Sequence, residues 1–523
     1  MTLRLRVPAV SDQVDTSVET RRVYVEEWIE SLPFADPPRL MEDVCAALTG
    51  LNRSPLKFRT RLELLELYIT PYQYLLDLIR GHGAARTIAS FEKHRGETDA
   101  TRQIAGELAY GYKLVLSDTL GSRMRAKKEI ATALQRAVTF LSHVLLHSYH
   151  EYLPTPDGIW TELAELYVYS TSQNTDKTQI PRRDGEQKLT ESVDATYKTI
   201  LVTALLDPYH LAYGDTWRVE SFIAKRVRGI QLLSAASAEV NKTAGIFHIS
   251  PDQNQRAVPY PLLADRPRDG LLLNTRPLLS ALQHRLDELL RNDDKGFGLP
   301  EEAEARFTTR ILLTLGRPPT RTGERDVASR AITLTTGLST VHHFLSGKTE
   351  PETVTEDPST INVTDVRPGQ STNFSQHTYT SEQWIQTNHS GGGVGIFRPV
   401  RPNHIINVGD FVGLQAPESA EWSIGILRWL TVGHDGSYQA GVEFRSRGAK
   451  PIVIQASEEK SETNMGVRLS ASKESEVTIA IPSRIFQTGL RLFVKEHRRS
   501  YELKLKRKLE ALVACDIVTG EVV

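Results

Sequence analysis

Apolar residues between about residue 19 and about residue 310 recur at intervals of three and four, the spacing of one face of an α-helix. Prolines such as Pro33, Pro37 and Pro154 separate these stripes, and proline ends a helix or starts a new one in its first turn. The region is predicted to be an all-α multi-helix domain of antiparallel hairpins, without a fixed repeat period. Its two clearest stripes are Leu64, Leu65, Tyr68, Tyr72, Leu75, Leu76 and Ile79, and Leu134, Val138, Leu141 and Leu145.

The pattern changes after residue 382, where polar and apolar residues alternate between Gly, Asn and Asp turns. Strands are predicted around Gly393–Phe397, Asp410–Leu414, Trp422–Trp429 and Ala440–Phe444. Short strands with frequent turns favour a small antiparallel β-barrel. The last segment, Gly466–Val523, is also rich in strands, and it either extends this barrel or forms a separate small β-domain.

A polar segment interrupts the strand-rich half of the chain. Residues 348 to about 382 are rich in Thr, Ser, Pro, Glu, Asn and Gln, so they bury too little apolar surface to offset the entropy lost on ordering. A flexible insertion is predicted there. The fold class is multidomain α+β, with an all-α helical domain at 1–310, a β-barrel at 311–455 that contains the insertion, and a β-rich extension or small β-domain at 456–523.

Composition and charge exclude several classes of protein. The 523-residue chain carries 63 Lys+Arg and 64 Asp+Glu, so it has no overall charge that would attract nucleic acid or a membrane surface. Its two cysteines, Cys45 and Cys515, lack the close spacing of a metal or redox pair, which favours a reducing cytoplasm. No apolar run approaches the roughly 20 residues needed to cross a bilayer, and the N-terminus lacks the apolar core of a signal peptide. A cytoplasmic protein without a membrane span is expected.

The strongest candidate for a binding site is a glycine-rich turn immediately before a predicted strand. Its sequence is Asn388-His389-Ser390-Gly391-Gly392-Gly393. Such a turn brings backbone N–H groups and a serine hydroxyl close to an anion, because no Cβ blocks the approach and positive φ costs glycine little. Glycine-rich turns are also common in barrels that bind nothing. A tight β-turn without a ligand is therefore the alternative interpretation.

A cluster of arginines lies upstream, at Arg317, Arg321 and Arg325. The prolines and the glycine between them exclude a regular helix, so these arginines are predicted on an extended or turning arm that enters a strand. A guanidinium donates paired hydrogen bonds to phosphate oxygens or to the O6/N7 edge of guanine, and it stacks on bases. A solvated basic linker is the alternative, since Arg306 and Arg310 have the same spacing on a predicted helix.

Residues of about 311 to 455 resemble the PilZ domain family. The family's pattern is an Arg-x-x-x-Arg arm followed by (Asp/Asn)-x-Ser-x-x-Gly on a β-barrel. Asn388, Ser390 and Gly393 fill the second motif. The segments Trp422–Trp429 and Gly441–Phe444 also look like the paired strands that follow this motif in PilZ barrels.

The arm motif matches less cleanly. Arg317 with Arg321 and Arg321 with Arg325 are overlapping candidates, and Arg321 belongs to both. More than sixty residues separate the arm from the second motif, further than in compact PilZ domains. The predicted insertion accounts for the excess.

The resemblance implies a PilZ-like barrel that binds cyclic di-guanylate (cyclic di-GMP). The arm arginines would grip guanine and phosphate groups, and the glycine turn would hold phosphate and sugar. The implied function is a signalling receptor that transmits ligand binding at the barrel to the helical domain and to an unidentified protein partner of that domain. The candidate ligand-binding residues are Arg317, Arg321, Arg325, Asn388, Ser390, Gly391, Gly392, Gly393 and Arg428.

Other chemistry has little support in the sequence. The chain has no G-x-x-x-x-G-K-(S/T) loop, G-x-S-x-G elbow or H-E-x-x-H helix, so enzymatic activity is not predicted. The adjacent His342 and His343 diverge and have no acidic or cysteine ligands nearby, so neither a metal nor a cofactor is expected. Two alternatives stay open: a scaffold whose barrel has lost its ligand, and a nucleic-acid binder that uses the basic strand at 498–508.

Overall fold

The structure is a computed structural model that divides into two compact units, Met1–Thr320 and Arg321–Val523. Each unit has hydrophobic clusters of its own. The residues that the structure describes are 3, 5–11, 18–82, 88–120, 126–182, 190–236, 244–260, 267, 269–291, 299–316, 326–347, 353–355, 376–456, 463–471, 476–497, 499–512 and 514–523.

Ten α-helices make up most of the first unit within its described residues. Every residue of the two predicted apolar stripes is buried, the first in α3 and the second in α5, which confirms the predicted helical domain. The helices are α1 (Arg22–Glu30), α2 (Pro37–Arg53), α3 (Phe58–Gly81), α4 (Ile88–Leu120), α5 (Lys127–His150), α6 (Ile159–Ser172), α7 (Val193–Leu205), α8 (Asp215–Ala224), α9 (Arg276–Arg291) and α10 (Leu299–Gly316).

Local sequence fixes where several of these helices begin. The Asp36 carboxylate accepts a hydrogen bond from the backbone N–H of Arg39 at 3.4 Å, and Pro37 occupies a first-turn position that needs no N–H donor. The Ser192 hydroxyl caps α7 in the same way through the N–H of Ala195, at 3.2 Å. None of the helices in the described part of the chain has the length and apolar character that crossing a membrane requires.

The first unit also contains short strands that the sequence analysis did not predict. A two-stranded ribbon pairs β1 with β2, and a four-stranded antiparallel sheet has the order β3-β6-β4-β5. Each strand has two to four residues, which is too short to show an alternating pattern. Their bounds are β1 (Ile180–Pro181), β2 (Thr190–Glu191), β3 (Gln231–Ser234), β4 (Ile246–Ile249), β5 (Val258–Pro259) and β6 (Leu271–Asn274).

The second unit begins with a closed antiparallel barrel. Its neighbouring strands follow the order β10-β11-β14-β13-β12-β7, and β7 pairs with β10 to close the ring. The interior is filled by buried residues that include Leu334, Trp384 and Leu427. The barrel strands are β7 (Asp326–Thr336), β10 (Glu382–Ser390), β11 (Gly393–Arg398), β12 (Phe411–Gln415), β13 (Ser423–Val432) and β14 (Tyr438–Ser446).

Two further elements lie in the connection between β7 and β10. They are helix α11 (Leu338–Leu345) and a two-stranded ribbon of β8 (Thr353–Thr355) with β9 (Gln376–Thr378). The predicted flexible insertion at 348–382 thus includes paired strands near both of its ends, and residues 356–375 lie outside the described residues. The connection explains why the two predicted motifs are so far apart in sequence.

The last strands of the chain close a second barrel, which begins inside the predicted middle segment. Its order is β15-β16-β17-β20-β19-β18. Numbered from one to six along the chain, both barrels have the cyclic order 1-2-3-6-5-4, so the second barrel repeats the topology of the first. Its strands are β15 (Lys450–Ala456), β16 (Thr463–Ala471), β17 (Glu476–Pro482), β18 (Arg491–Glu496), β19 (Arg499–Ala511) and β20 (Cys515–Val522).

Helix α11 packs against both barrels. Leu338 and Val341 of this helix share one buried cluster with Phe411 of the first barrel and with Val467 and Ile517 of the second. Gly337 turns the chain from β7 into α11 with a φ of +90°, a conformation that glycine adopts at little cost. The two barrels therefore form one packed unit with a common apolar seam.

Candidate functional site

The glycine turn connects β10 to β11 at one end of the first barrel. Ser390 and Gly393 face each other across the two strands, with Gly391 and Gly392 at the tip. The turn is tied to the end of β14, where the backbone N–H of Phe444 donates to the carbonyl of Gly392 at 2.9 Å. These contacts fix the turn while both tip glycines stay exposed.

Of the two predicted reasons for glycine in this turn, the structure does not bear out the need for positive φ. None of Gly391, Gly392 and Gly393 has a positive φ, so the backbone angles of this turn do not require glycine. A Cβ on Gly391 or Gly392 would meet nothing within 4 Å, which leaves the backbone at the tip open to solvent. A Cβ on Gly393 would lie 2.5 Å from the carbonyl oxygen of Val442, so this position has no room for a side chain.

Asn388 owes its position to an irregularity in β10. The register shifts between Gln386 and Asn388 in the pairings with both β11 and β7. The Asn388 carboxamide then lies over Gly395, where a Cβ would be 2.6 Å from Nδ2 and 2.9 Å from Oδ1. Its described hydrogen bond is a long one, in which Nδ2 donates to Thr387 Oγ1 at 3.4 Å. A β-bulge and a facing glycine therefore hold a half-buried amide at the base of the turn.

The Ser390 side chain also makes only a long hydrogen bond within the protein. Its hydroxyl donates to the carbonyl of Gly393 at 3.4 Å, near the upper limit for a hydrogen bond. Arg447, which follows β14, donates from Nη2 to the carbonyl of Gly391 at 3.5 Å, and its guanidinium lies 5.2 Å from the centre of the Phe444 ring. The turn therefore has an amide, a hydroxyl and a guanidinium around it, all with weak internal bonds that an anion can replace.

Arg317, Arg321 and Arg325 of the predicted arm lie outside the described residues. The structure does describe β7, the strand that follows the arm. Asp326, the first residue of β7, pairs with His389, and Val327 pairs with Asn388. The His389 Nε2 atom lies 3.6 Å from Asp326 Oδ2. The chain thus enters the barrel directly beside the second motif, and Arg325 is covalently joined to a residue that pairs with the turn.

Arg428 occupies a different setting from the one the sequence suggested. It lies on β13, where Nε donates to Glu443 at 2.6 Å and Nη2 donates to Glu510 of the second barrel at 3.0 Å. Burial works against its charge, but these two carboxylates outweigh burial and raise the pKa of the guanidinium. Its donors are engaged by protein carboxylates, so a ligand could recruit Arg428 only by displacing one of them.

Sequence analysis missed the residues that surround Arg428. Arg445 on β14 also donates to Glu510, at 2.7 Å, and to Glu443, at 3.2 Å. Glu443 is the cross-strand neighbour of Gly393. The segment Arg445-Ser446-Arg447 could have signalled a cationic edge, but its contact with Glu510 depends on long-range packing that a local pattern does not contain.

Within the described part of the chain, no three His, Cys, Asp or Glu side chains are grouped so that they could hold a metal ion. His343 is buried in α11 beside Tyr379, with ring centres 4.7 Å apart.

A closed barrel with an Asn-x-Ser-x-x-Gly turn beside an arginine-rich approach defines a PilZ-domain protein. A family model described as the N-terminal domain of the cyclic-di-GMP receptor FimW matches residues 23–237. A second, described as the middle PilZ domain of the cyclic-di-GMP receptor FimW, matches residues 246–367 and 358–451. Since the two models together match well over half of the chain, the chain belongs to the FimW family, which confirms the predicted membership of the PilZ domain proteins.

A curated relative agrees with this assignment. The cyclic-di-GMP receptor FimW of Pseudomonas aeruginosa strain PAO1 is 23% identical to this chain over an alignment of 561 positions. The alignment covers 97% of this chain and 91% of the relative. The search of the solved structures found no match.

Proposed function

We propose that this chain is a cyclic di-GMP-binding signalling receptor, without enzymatic activity, that acts in the cytoplasm. The observation that carries the proposal is the pairing of Asp326 and Val327 with His389 and Asn388, because it joins the end of the arginine arm to the glycine turn. Both cysteines are free, in keeping with a reducing compartment. Membership of a family of cyclic-di-GMP receptors supports the choice of ligand.

Each part of the site has a role in this proposal. The arm residues Arg317, Arg321 and Arg325 supply planar cations for phosphate oxygens and guanine edges. Asn388 and Ser390 exchange their long internal hydrogen bonds for bonds to the ligand, and the open backbone at Gly391 and Gly392 lets a phosphate approach closely. The cost of losing bonds of 3.4 Å is small compared with the gain from charge-assisted bonds to phosphate.

One apolar residue belongs to the same surface. Val327 is 91% exposed, although it lies on a barrel strand and pairs with Asn388. An apolar side chain in this position gives a flat base a surface to lie against, which the surrounding polar groups do not provide. We include Val327 in the ligand-binding surface.

Signal transmission follows from the position of the arm. The arm connects α10, the last helix of the first unit, to β7, the first strand of the barrel. A ligand that binds one arrangement of the arm more tightly shifts the population toward that arrangement, by no more than its differential affinity. We propose that the helical domain and a protein partner of that domain receive this shift.

Calorimetric titration with cyclic di-GMP tests the proposal. The full-length protein should bind the ligand, and Arg321→Ala and Ser390→Ala should each weaken binding by about 10-fold or more, since each removes a bond to a charged group. Arg306→Ala is the matched control, because Arg306 and Arg310 share the Arg-x-x-x-Arg spacing but lie on α10. Unchanged affinity in Arg321→Ala and Ser390→Ala would refute the assigned site.

Complete absence of binding would favour the scaffold alternative, and thermal unfolding checks it independently. A ligand at about 100 times its dissociation constant adds roughly 2.7 kcal/mol to the free energy of unfolding. The nucleic-acid alternative has less support, because Lys506 and Lys508 of the basic strand are paired with Glu521 and Asp516 at 2.7 and 3.2 Å.

A further inference from the structure

The helical unit contains a large cavity that the proposed function does not use. Its volume is about 980 Å³, and residues of α3, α5, α7 and α8 line it. A second hollow of about 480 Å³ adjoins it, and Arg80, Ser221 and Lys225 line both. Cavities of this size are typical of small-molecule sites.

The larger cavity is lined by more cations than anions. Glu191 and Asp194 are matched by Arg182 and Lys198, at 2.8 and 2.6 Å. Arg136 is paired with Glu66, at 2.9 Å. This leaves an excess of positive charge among the lining residues that the structure describes: Arg80, Lys177, Lys225 and Arg228 against Glu220.

Arg80 is the one of these four cations that is not exposed, and its ion pairs are long. Its side chain is 26% exposed, and its nearest carboxylate oxygens, on Asp77 and Glu220, lie 3.8 and 3.9 Å away, beyond hydrogen-bond distance. Its buried Nε has no hydrogen-bond acceptor among the described residues. A guanidinium carries five N–H donors, and buried donors without acceptors are rare in native proteins, so a bound anion would satisfy an evident deficit.

The adjoining hollow adds aromatic side chains to these cations, and besides Arg80 and Lys225 it is lined by Arg218, Arg226 and Glu304. Trp217, Phe222 and Phe307 line it, and the rings of Phe222 and Phe307 lie 6.0 Å apart. The Arg80 guanidinium lies 5.1 Å from the Trp217 ring centre, at the junction of the two spaces. The Trp217 indole N–H is buried and has no acceptor among the described residues. A ligand at this junction would meet the Arg80 guanidinium and the indole N–H of Trp217, whose side chain is itself buried.

We propose that the helical domain binds a nucleotide-like small molecule, with its phosphate on Arg80 and its ring in the adjoining hollow beside Trp217 and Phe222. Lys225 and Arg228 are exposed at the rim and raise the local concentration of anions. This site is separate from the barrel. It gives the receptor a second small-molecule input, and its existence does not depend on cyclic di-GMP binding.

Adenosine 5′-monophosphate is a suitable probe, with adenosine and inorganic phosphate as partial probes. Titrations use the full-length Ser390→Ala protein, so that the glycine turn contributes little. Adenosine monophosphate is expected to bind with a dissociation constant below about 1 mM, at least tenfold more tightly than adenosine, because charge-assisted bonds to Arg80 are lost without the phosphate. Absence of binding at millimolar concentration, or equal binding of adenosine, would overturn the proposal.

Substitutions locate the site. Arg80→Gln should weaken binding at least about tenfold, and Arg228→Glu should weaken it and reduce its salt dependence. Arg39→Glu on α2 is the matched control, since Arg39 is 71% exposed and lines neither space. Unchanged affinity in a folded Arg80→Gln variant would refute the proposal. If that variant does not fold, Arg228→Glu together with Lys225→Glu decides the question.

Discussion

Arg428 of the first barrel and Glu510 of the second are joined by a two-pronged ion pair, in which both terminal nitrogens of the guanidinium donate to the carboxylate, Nη2 at 3.0 Å. Arg445 binds the same carboxylate at 2.7 Å, and Glu443 joins both arginines. Glu443 is the cross-strand neighbour of Gly393. The side chains of Glu443 and Arg428 therefore connect the glycine turn to Glu510 of the second barrel.

Glu510→Gln should lower the free energy of unfolding by about 1–3 kcal/mol, because two partly buried arginines lose a shared carboxylate. Chemical denaturation of the full chain measures this. Glu521→Gln is the control, since Glu521 and Lys506 form an exposed pair on the same barrel and their separation should change stability little. Equal losses in the two variants would contradict a special role for the network.

Gly393→Ala should destabilise the first barrel by about 1–3 kcal/mol, because the new methyl group has to displace the backbone carbonyl of Val442. Gly392→Ala should leave stability nearly unchanged, since nothing lies within 4 Å of the added atom. Thermal unfolding of the two variants provides the comparison. A similar change in both would show that the turn tolerates side chains equally at its tip and at its base.

Gly395→Ala tests the placement of Asn388. The added methyl group would displace the Asn388 carboxamide from its position over residue 395. The affinity for cyclic di-GMP should therefore fall by about tenfold, as in Asn388→Ala. Calorimetric titration measures both variants. Combining the two substitutions should cost little more than either one, because both disturb the same amide. Additive losses would mean that Gly395 acts independently of Asn388.

Asp410 gives the barrel a dependence on pH. Burial raises the pKa of its carboxyl to about 6, although the N–H of Asn407, which donates to it at 2.7 Å, works in the opposite direction. A carboxyl with a raised folded-state pKa contributes most to stability below its unfolded value near 3.8, and this contribution is lost as pH rises through about 6.

Asp410→Asn should therefore raise the melting temperature at pH 8 and leave it nearly unchanged at pH 4, where the native carboxyl is protonated. The difference between the folded and unfolded pKa values of Asp410 corresponds to at most about 3 kcal/mol in the free energy of unfolding. Melting curves of both proteins from pH 4 to pH 8 test this. A constant difference across that range would exclude titration of Asp410 as the cause.

The sequence predicted the elements whose pattern is local. The stripe from Leu64 to Ile79 repeats at helical spacing over a long helix, and the structure buries all of it in α3. The predicted strand Trp422–Trp429 coincides with β13 from Ser423 onward. The strands β3 to β6 escaped prediction because two to four residues carry no periodicity. The sequence also left open whether the last segment extended the first barrel or formed its own domain, and the first strand of the second barrel, β15, crosses the predicted boundary between 455 and 456.

The candidate site was only partly accessible from sequence. The family resemblance identified Asn388, Ser390 and Gly393, because these three residues are close in sequence and fill the (Asp/Asn)-x-Ser-x-x-Gly motif. The bulge that places Asn388 arises from the simultaneous pairing of β10 with β7 and β11, which no local pattern encodes. The carboxylate that engages Arg428 comes from Glu510, 82 residues away. The direct roles of the proposed ligand-binding residues stay predictions until binding is measured.

The turn at Gly337 has a structural consequence. Strand β7 begins at the arm, is eleven residues long and therefore spans about 35 Å. It leads through Gly337 alone into α11, whose Leu338 and Val341 are wedged into the apolar seam with the second barrel. The first residues of β7, which pair with His389 and Asn388, and the apolar seam with the second barrel therefore belong to one continuous stretch of chain that turns at a single glycine.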